Sequence, residues 1–181
     1  MDFSVLDETL AQLRANGQVT EATAQDPIGV STGATTRITG RPSSLLRWCK
    51  ATETAVIDRA MDDAQVFVGF QAFSRSRLVA DRFRRIQRVC ASLYVVGKPD
   101  AELDFPVTVA VPIESGPMLG EWFLLVVASV YQGLLVAREQ AAPGAGVPGG
   151  TRTLSGVITH DAPTIRALAE RMTSAFERAA G

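Results

Sequence analysis

Apolar residues recur along the chain with two different periods, and the change of period separates the predicted elements. A repeat every three or four positions, which is the period of an amphipathic helix, covers four segments. These segments are Ser4 to Ala15, Pro42 to Asp63, Arg75 to Cys90 and a closing helix that begins after Asp161. Three of the helix starts carry a residue whose side-chain oxygen can cap free N–H groups, namely Ser4, Ser74 and Asp161.

Compact runs of aliphatic, β-branched and aromatic residues predict strands between these helices. The runs are 65–71, 92–96, 106–113, 122–128, 131–139 and 151–159, and 122–128 with 131–139 predicts a hairpin. An early strand–helix–strand unit is followed by consecutive strands, so the predicted fold class is α/β, at the border with α+β. We expect a mixed sheet of about six strands with helices packed on it.

The length of 181 residues fits a single domain. Within residues 1–181 we distinguish an N-terminal helix (1–16), a linker (17–41) rich in small and polar residues, and a main α/β body (42–181). A short extended piece is expected inside the linker, around Thr36 to Ile38. Residues 141–150 consist of Ala, Pro, Gly and Val alone, which predicts a flexible loop.

Composition and charge narrow the class of protein. The formal net charge of -1 argues against a dedicated nucleic-acid binder, which needs a basic excess. The two cysteines, Cys49 and Cys90, lie on apolar helix stripes and are too few for a disulfide framework. The N-terminus lacks the features of a signal peptide, and the uncharged run 122–137 is shorter than the roughly 20 residues of a membrane helix. We therefore expect a cytoplasmic protein without a membrane span.

Residues suited to catalysis or metal binding are scarce. The single histidine, His160, stands beside Asp161 at the junction of the last strand and the last helix, where a capping or turn role is commoner than a general-base role. The cysteines and the histidine match no zinc-ligand spacing. The sequence thus predicts a binding protein rather than an enzyme, with no catalytic or metal-binding residue and no identifiable cofactor. An enzyme that uses His160 and Asp161 is the last alternative.

The third predicted helix is unusually rich in arginine. It carries Arg75, Arg77, Arg82, Arg84, Arg85 and Arg88 against one acid, Asp81. Guanidinium groups bind carboxylates and phosphates through paired donors, so this helix is a candidate docking surface for a partner. We assign that role to Arg82, Arg84, Arg85 and Arg88. The alternative is a solvated basic face that pairs with acids elsewhere.

The passage from the first predicted strand into the arginine-rich helix is a candidate ligand site. Switch points of α/β sheets commonly line ligand crevices, and a helix start favours anions. The candidate residues are Phe70, Gln71, Phe73, Arg75 and Arg77, together with Trp122 and Tyr131. The alternative is that the aromatic residues simply fill the core.

The order of several motifs resembles a known family. The motifs are Phe3-Ser4-Val5, Phe67-Val68-Gly69-Phe70-Gln71 followed by Arg75 and Arg82-Phe83, Leu93-Tyr94-Val95-Val96, Glu121-Trp122-Phe123 and Leu134-Leu135-Val136-Ala137-Arg138-Glu139. Over nearly the whole chain they resemble the DICT domain, the sensory module named for diguanylate cyclases and two-component systems. Ser129-Val130-Tyr131 departs from the family pattern, because a Pro-Gly or similar turn is expected between the paired strands.

The resemblance implies a signal-input role, commonly joined to a helix-turn-helix, cyclase or histidine-kinase output, and an involvement in light responses. Because the chain has no room for an output module, we expect a stand-alone member that signals through a partner protein or a change of oligomeric state. The predicted function is a sensory or regulatory binding domain for a small ligand or cofactor. The runner-up is a non-catalytic scaffold that associates with itself.

Overall fold

The computed structural model describes residues 3–18, 31–32, 35–140 and 153–180. The helices are Val5–Ala15 (α1), Pro42–Asp58 (α2), Ala80–Val89 (α3) and Ala162–Ala180 (α4), with 3₁₀ segments at Phe73–Val79 and Pro117–Gly120. The strands are Ser31–Thr32 (β1), Thr35–Gly40 (β2), Gln65–Ala72 (β3), Ser92–Lys98 (β4), Val109–Pro112 (β5), Glu121–Val127 (β6), Gln132–Gln140 (β7) and Thr153–Thr159 (β8). The predicted loop at 141–150 lies outside the described residues.

All these strands belong to one mixed sheet, in the order β1-β2-β8-β7-β6-β3-β4-β5. Strands β3, β4 and β5 are parallel, while the other pairs are antiparallel and include the β6–β7 hairpin. The predicted fold class and hairpin are therefore confirmed. In the hairpin turn, Ala128 N–H donates to the Tyr131 carbonyl at 2.8 Å, and Asp63 accepts from Ser129 N–H at 2.7 Å.

The predicted boundaries need four corrections. Residues 35–40, where only a short extended piece around Thr36 to Ile38 was expected within the linker, form β2. They pair with β8 over their whole length, since a Thr-rich run suits a strand as well as a loop. Strand β5 is shorter than the predicted 106–113. Helix α2 stops at Asp58 and not Asp63, because Ala60 adopts a left-handed φ of 45° and Met61 N–H bonds back to the Val56 carbonyl. The fourth correction concerns the start of the arginine-rich helix.

The segment after β3 begins as a 3₁₀ helix, so α3 starts at Ala80 rather than Arg75. Ser74 does not cap it. Its hydroxyl donates to Asp100 Oδ2 at 2.6 Å, and its backbone N–H donates to Asp100 Oδ1 at 2.9 Å. The two other predicted caps are confirmed: Ser4 Oγ accepts from Asp7 N–H at 2.9 Å, and Asp161 Oδ2 accepts from Thr164 N–H at 3.0 Å.

The central strands bury both faces, because their side chains alternate between two apolar layers. Phe123 and Leu125 of β6 pack with α1 and α4, and we name this side the α1–α4 face. The neighbours Leu124 and Val126 pack with α2 and α3 on the opposite side, the α2–α3 face. Within the described ranges, no helix is both long enough and apolar enough to span a bilayer.

Candidate functional site

A cleft of about 660 Å³ opens on the α2–α3 face. We refer to it as the cleft. It is bounded by α2, by the ends of β3, β6 and β8, and by the 3₁₀ segment with the start of α3. Most of its wall is apolar. The lining residues are Pro42, Leu46, Cys49, Lys50, Glu53, Val68, Phe70, Gln71, Arg75, Leu78, Val79, Arg82, Trp122, Leu124 and Leu154.

One wall of the cleft is made by a bulge in β3. The pairing of β3 with β4 shifts between Gly69 and Gln71, and Gln71 has a left-handed φ of 62°. Left-handed backbone is costly for a residue with a Cβ, and such outliers cluster at functional sites. The Gln71 side-chain oxygen accepts a hydrogen bond from Arg75 Nη1, which stabilises this geometry. The bulge therefore brings an amide and a guanidinium to the same edge of the cleft.

Packing around the bulge explains why a glycine precedes it. A Cβ at Gly69 would lie only 2.4 Å from the Phe123 ring, so this position has no room for a side chain. On the other face of the sheet, Phe70 packs edge-on against Phe83 at 5.3 Å between ring centroids, and Phe83 stacks on Phe105 at 5.5 Å. These rings support α3 against the sheet and fix the wall of the cleft that faces α2.

A buried ion pair crosses the cleft region between α2 and α3. Glu53 is only 5% exposed and accepts from Arg82 Nη1. Burial raises the pKa of the Glu53 carboxyl above its ordinary value, while the Arg82 charge partly offsets that rise. The pair links the two helices, and the Arg82 charge favours the ionised form of this carboxyl.

Cys49 lies one helical turn before Glu53 and contributes to the apolar wall. Burial, reinforced by the nearby Glu53 charge, raises the pKa of the Cys49 thiol to about 12. A thiol with so high a pKa stays neutral near pH 7 and is a poor nucleophile. Cys49 therefore gives the cleft a small apolar surface rather than a reactive group.

The mouth of the cleft exposes large apolar side chains to solvent. Leu78 is 92% exposed and Leu46 is 46% exposed, and both line the cleft. Among the described residues the other exposed large apolar side chain is Val130, at 69%. Exposed apolar groups gathered around a concave surface are typical of binding sites, whereas a single one has no such meaning.

The structure brings together some of the predicted ligand residues and separates others. Phe70, Gln71, Arg75 and Trp122 all line the cleft. Three of the predicted residues lie outside the cleft. These are Phe73, buried in the core with its ring against Gly97; Arg77, which pairs with Asp104 at 3.6 Å; and Tyr131, whose hydroxyl meets Thr52 Oγ1 at 3.2 Å.

The arginines predicted as a docking surface have different surroundings. Arg82 belongs to the cleft through its bond to Glu53, while Arg84 bonds to Asp81 and to the Asp104 carbonyl. Arg85 and Arg88 are exposed, and neither has an ion-pair partner in the part of the chain that the structure describes. A shallower groove of about 440 Å³ runs beside Arg77, Arg84 and Arg85.

His160 and Asp161 do not form a hydrogen-bonded pair in the described structure. His160 Nδ1 lies 2.8 Å from the Gln132 carbonyl, and Asp161 Oδ2 accepts from Thr164 N–H and from Asn16 Nδ2. The His160 ring packs near Trp48 and Tyr131, with centroids at 6.2 and 5.8 Å. In the described ranges, no cluster of three or more His, Cys, Asp or Glu residues is arranged to hold a metal ion.

Sequence reasoning missed the α2 side of the cleft. Leu46 and Lys50 are one helical turn apart, as are Cys49 and Glu53, so one edge of α2 supplies all four. The detectable signal was Glu53 itself, a carboxylate that directly follows Thr52 at the edge of the apolar face of α2. A charged residue in such a position needs a buried partner.

Comparison with known families identifies one match. The family model described as "DICT: Sensory domain in DIguanylate Cyclases and Two-component system" matches residues 29–140. The match is narrower than the nearly complete resemblance expected from the motifs, since α1, β8 and α4 lie outside it. Comparisons with curated proteins and with solved structures found no match. Because the matched range covers more than half of the 181 residues, the chain belongs to the DICT family of sensory domains.

Proposed function

We propose that this protein is a sensory or regulatory domain that binds a small molecule in the cleft. The observation that carries the proposal is the cleft itself, an apolar concavity of about 660 Å³ whose mouth exposes Leu46 and Leu78. Small-molecule sites commonly enclose roughly 300–1,000 Å³ and combine apolar walls with a few polar groups. The family provides the sensory context, since DICT domains are sensory domains of signalling proteins.

We further propose that binding is transmitted through the α2–α3 pair. A ligand in the cleft touches α2 on one side and the 3₁₀ segment with α3 on the other. Glu53 and Arg82 link these helices, so a ligand that prefers one spacing of the helices shifts the population toward it. The output is then read by a separate partner protein or by a second copy of the chain, and exposed Arg85 and Arg88 on α3 are available for that contact.

The direct test is a screen of small molecules, cofactors and chromophores by native mass spectrometry, with a variant that obstructs the mouth of the cleft. Leu46→Trp adds an indole at the rim on a regular helix. Val130→Trp is the matched control, because it makes a similar change at an exposed apolar residue outside the cleft. We expect a ligand whose complex is weakened by Leu46→Trp and unchanged by Val130→Trp. Equal binding by both variants would remove the cleft as the site.

A second candidate function is self-association without a ligand. It is favoured by one observation, the 92% exposure of Leu78, because a leucine so exposed is a plausible contact in a protein interface. Sedimentation across a range of concentrations distinguishes the two, since a scaffold gains mass with concentration and needs no ligand. An enzyme based on His160 stays the least favoured alternative and would require a turnover that His160→Ala abolishes.

A further inference from the structure

The charged groups of the cleft are unequally distributed between the two signs. Three lining residues carry positive charge, namely Lys50, Arg75 and Arg82, and one carries negative charge, namely Glu53. The rest of the lining is apolar apart from the Gln71 amide and the neutral Cys49 thiol. The cleft therefore presents a net excess of cations over a mainly apolar wall.

Arg82 has donor capacity beyond its bond to Glu53. Its guanidinium offers five N–H donors, and the described structure gives one hydrogen bond from it, through Nη1 to Glu53. The Arg82 side chain is 29% exposed, whereas the Glu53 side chain is 6% exposed. An incoming group therefore reaches the guanidinium more readily than the carboxylate.

The single acid is a poor receptor for a cationic ligand. Glu53 is buried and already paired, so a cation entering the cleft would meet Lys50, Arg75 and Arg82 first. An anion meets the opposite situation. A carboxylate or phosphate fits the planar donors of arginine and gains charge-assisted hydrogen bonds.

We propose that the cleft selects an anionic amphiphile, a molecule with one carboxylate or phosphate head that Arg82 holds and an apolar body that lies along Val68, Leu124 and Trp122. This inference rests on the proposed function and specifies the ligand class of the same site. Arg75 and Lys50 add positive charge around the head.

Glu53 then competes with the ligand head for Arg82. A head group that takes Arg82 leaves Glu53 buried without its cation, and the raised pKa of this carboxyl lets it respond by taking up a proton. Ligand binding thereby weakens the link between α2 and α3. Removing the competing charge at Glu53 consequently strengthens the binding of an anion.

The experiment compares probes that share one tail and differ in the head. Decanoate and decyl phosphate are anionic, decanol is neutral and decyltrimethylammonium is cationic, and each is titrated calorimetrically into the full chain below its micelle concentration. We expect the better of the two anions to bind at least about tenfold more tightly than decanol, the scale of a hydrogen bond to a charged group. The cation should bind most weakly. Comparing decanoate with decyl phosphate distinguishes a carboxylate site from a phosphate site.

Variants test the assigned roles. Glu53→Gln should strengthen anion binding severalfold and leave decanol unchanged. The double variant Glu53→Gln/Arg82→Gln, which removes both members of the pair and leaves no buried charge, should lose the preference for anions. Arg47→Gln is the matched control for loss of a helical arginine, since Arg47 of α2 is exposed and outside the cleft.

The outcomes separate this inference from the proposed function. Equal binding of decanol and the anions, with both weakened by Leu46→Trp, would retain the cleft as a site and overturn its anion selectivity. A neutral or cationic ligand from the screen, bound in the cleft in preference to all anions, would do the same. If neither the screen nor the probes give binding that depends on Leu46, both proposals fail. Weaker anion binding by Glu53→Gln would overturn the competition between Glu53 and the head group.

Discussion

The two faces of the sheet are built from equally apolar strands, yet the cleft opens on the α2–α3 face. On the α1–α4 face, Phe67, Tyr94 and Phe176 form a continuous aromatic layer, with Phe67 and Tyr94 stacked at 4.5 Å between ring centroids. On the α2–α3 face, the second helical segment begins as a 3₁₀ turn, and the cleft lies between it and α2. The difference comes from how the helices cover the sheet, together with the bulge in β3 that forms one wall of the cleft.

The buried carboxylates on the two faces also differ in the number of partners that hold them. On the α1–α4 side, the fully buried Glu121 accepts from Ser4 Oγ, Val5 N–H and Arg138 Nη2 at 2.6, 2.8 and 2.7 Å, which fixes the start of α1. On the α2–α3 side, Glu53 has one partner, Arg82. A buried carboxylate held by several partners is fixed in place, whereas a singly bonded pair at an open cleft can be rearranged by a ligand. One face is therefore suited to stability and the other to response.

The strongest test of this contrast uses two adjacent residues of β6. Phe123 is fully buried on the α1–α4 side, while Trp122 is partly exposed and lines the cleft. We expect Phe123→Ala to lower the free energy of unfolding by about 3–5 kcal/mol, the usual cost of removing a buried ring, and Trp122→Ala by no more than about 2 kcal/mol. Urea denaturation measures both. Equal losses would show that the two faces do not differ in packing.

The next largest effect is expected from the network that holds α1. Glu121→Ala leaves three donors without their carboxylate, so we expect a loss of about 3 kcal/mol. Glu8→Ala is the matched control, because Glu8 lies in α1 and pairs with Arg171 at 2.7 Å near the surface, where such a pair contributes about 1 kcal/mol or less. Thermal unfolding, monitored by circular dichroism, compares the two variants. A Glu121→Ala loss as small as that of Glu8→Ala would contradict the assigned role.

A smaller effect is expected from the pH dependence of the α2–α3 link. Burial raises the pKa of Glu53 above its ordinary value of 4.5, so between these two values the folded chain binds a proton that the unfolded chain has released. The contribution of this proton to the free energy of unfolding is therefore complete below pH 4.5. It is lost as the pH rises through the raised pKa of Glu53, with a slope of at most about 1.4 kcal/mol per pH unit.

Glu53→Gln should remove this slope, while Glu102→Gln, the same change at an exposed residue, should preserve it. Urea denaturation across the acidic and neutral range measures the difference between each variant and the parent. Parallel profiles for the parent and Glu53→Gln would show that this carboxyl titrates at the same pH in both states.

Much of the fold follows from local pattern, because strands buried on both faces give compact apolar runs and helices packed on one side give stripes. Only a short extended piece around Thr36 to Ile38 was expected where β2 runs from Thr35 to Gly40, since this segment is mainly polar and its place in the sheet depends on pairing with β8. The predicted start of α3 was wrong for a similar reason. Ser74 has the chemistry of a cap, but Asp100, which is 26 residues away, binds it.

Most of the predicted residues that line the cleft are near one another in sequence, and Trp122 is the exception. Phe70, Gln71 and Arg75 follow one another through the bulge, and the passage from strand to helix pointed to them. The bulge also shifts the side-chain alternation, which buries Phe73 in the core, and no local pattern predicts such a shift. Glu53 acquires its meaning from Arg82, 29 residues later, so its role required the packing of α2 against α3.

The smallest expected effect on stability comes from a substitution at the rim of the cleft. The same substitution tests what the open face binds. Leu78→Ser should change the free energy of unfolding by less than about 0.5 kcal/mol, because the side chain is 92% exposed. It should nevertheless weaken decanoate binding about fivefold, since a ligand that covers part of a leucine gains about 1 kcal/mol. Val130→Ser, an exposed apolar residue outside the cleft, should change neither quantity. If Leu78→Ser leaves decanoate binding intact and instead abolishes a concentration-dependent increase in mass, the exposed leucine serves an interface between copies of the chain, and the open face is a protein-binding surface rather than a ligand site.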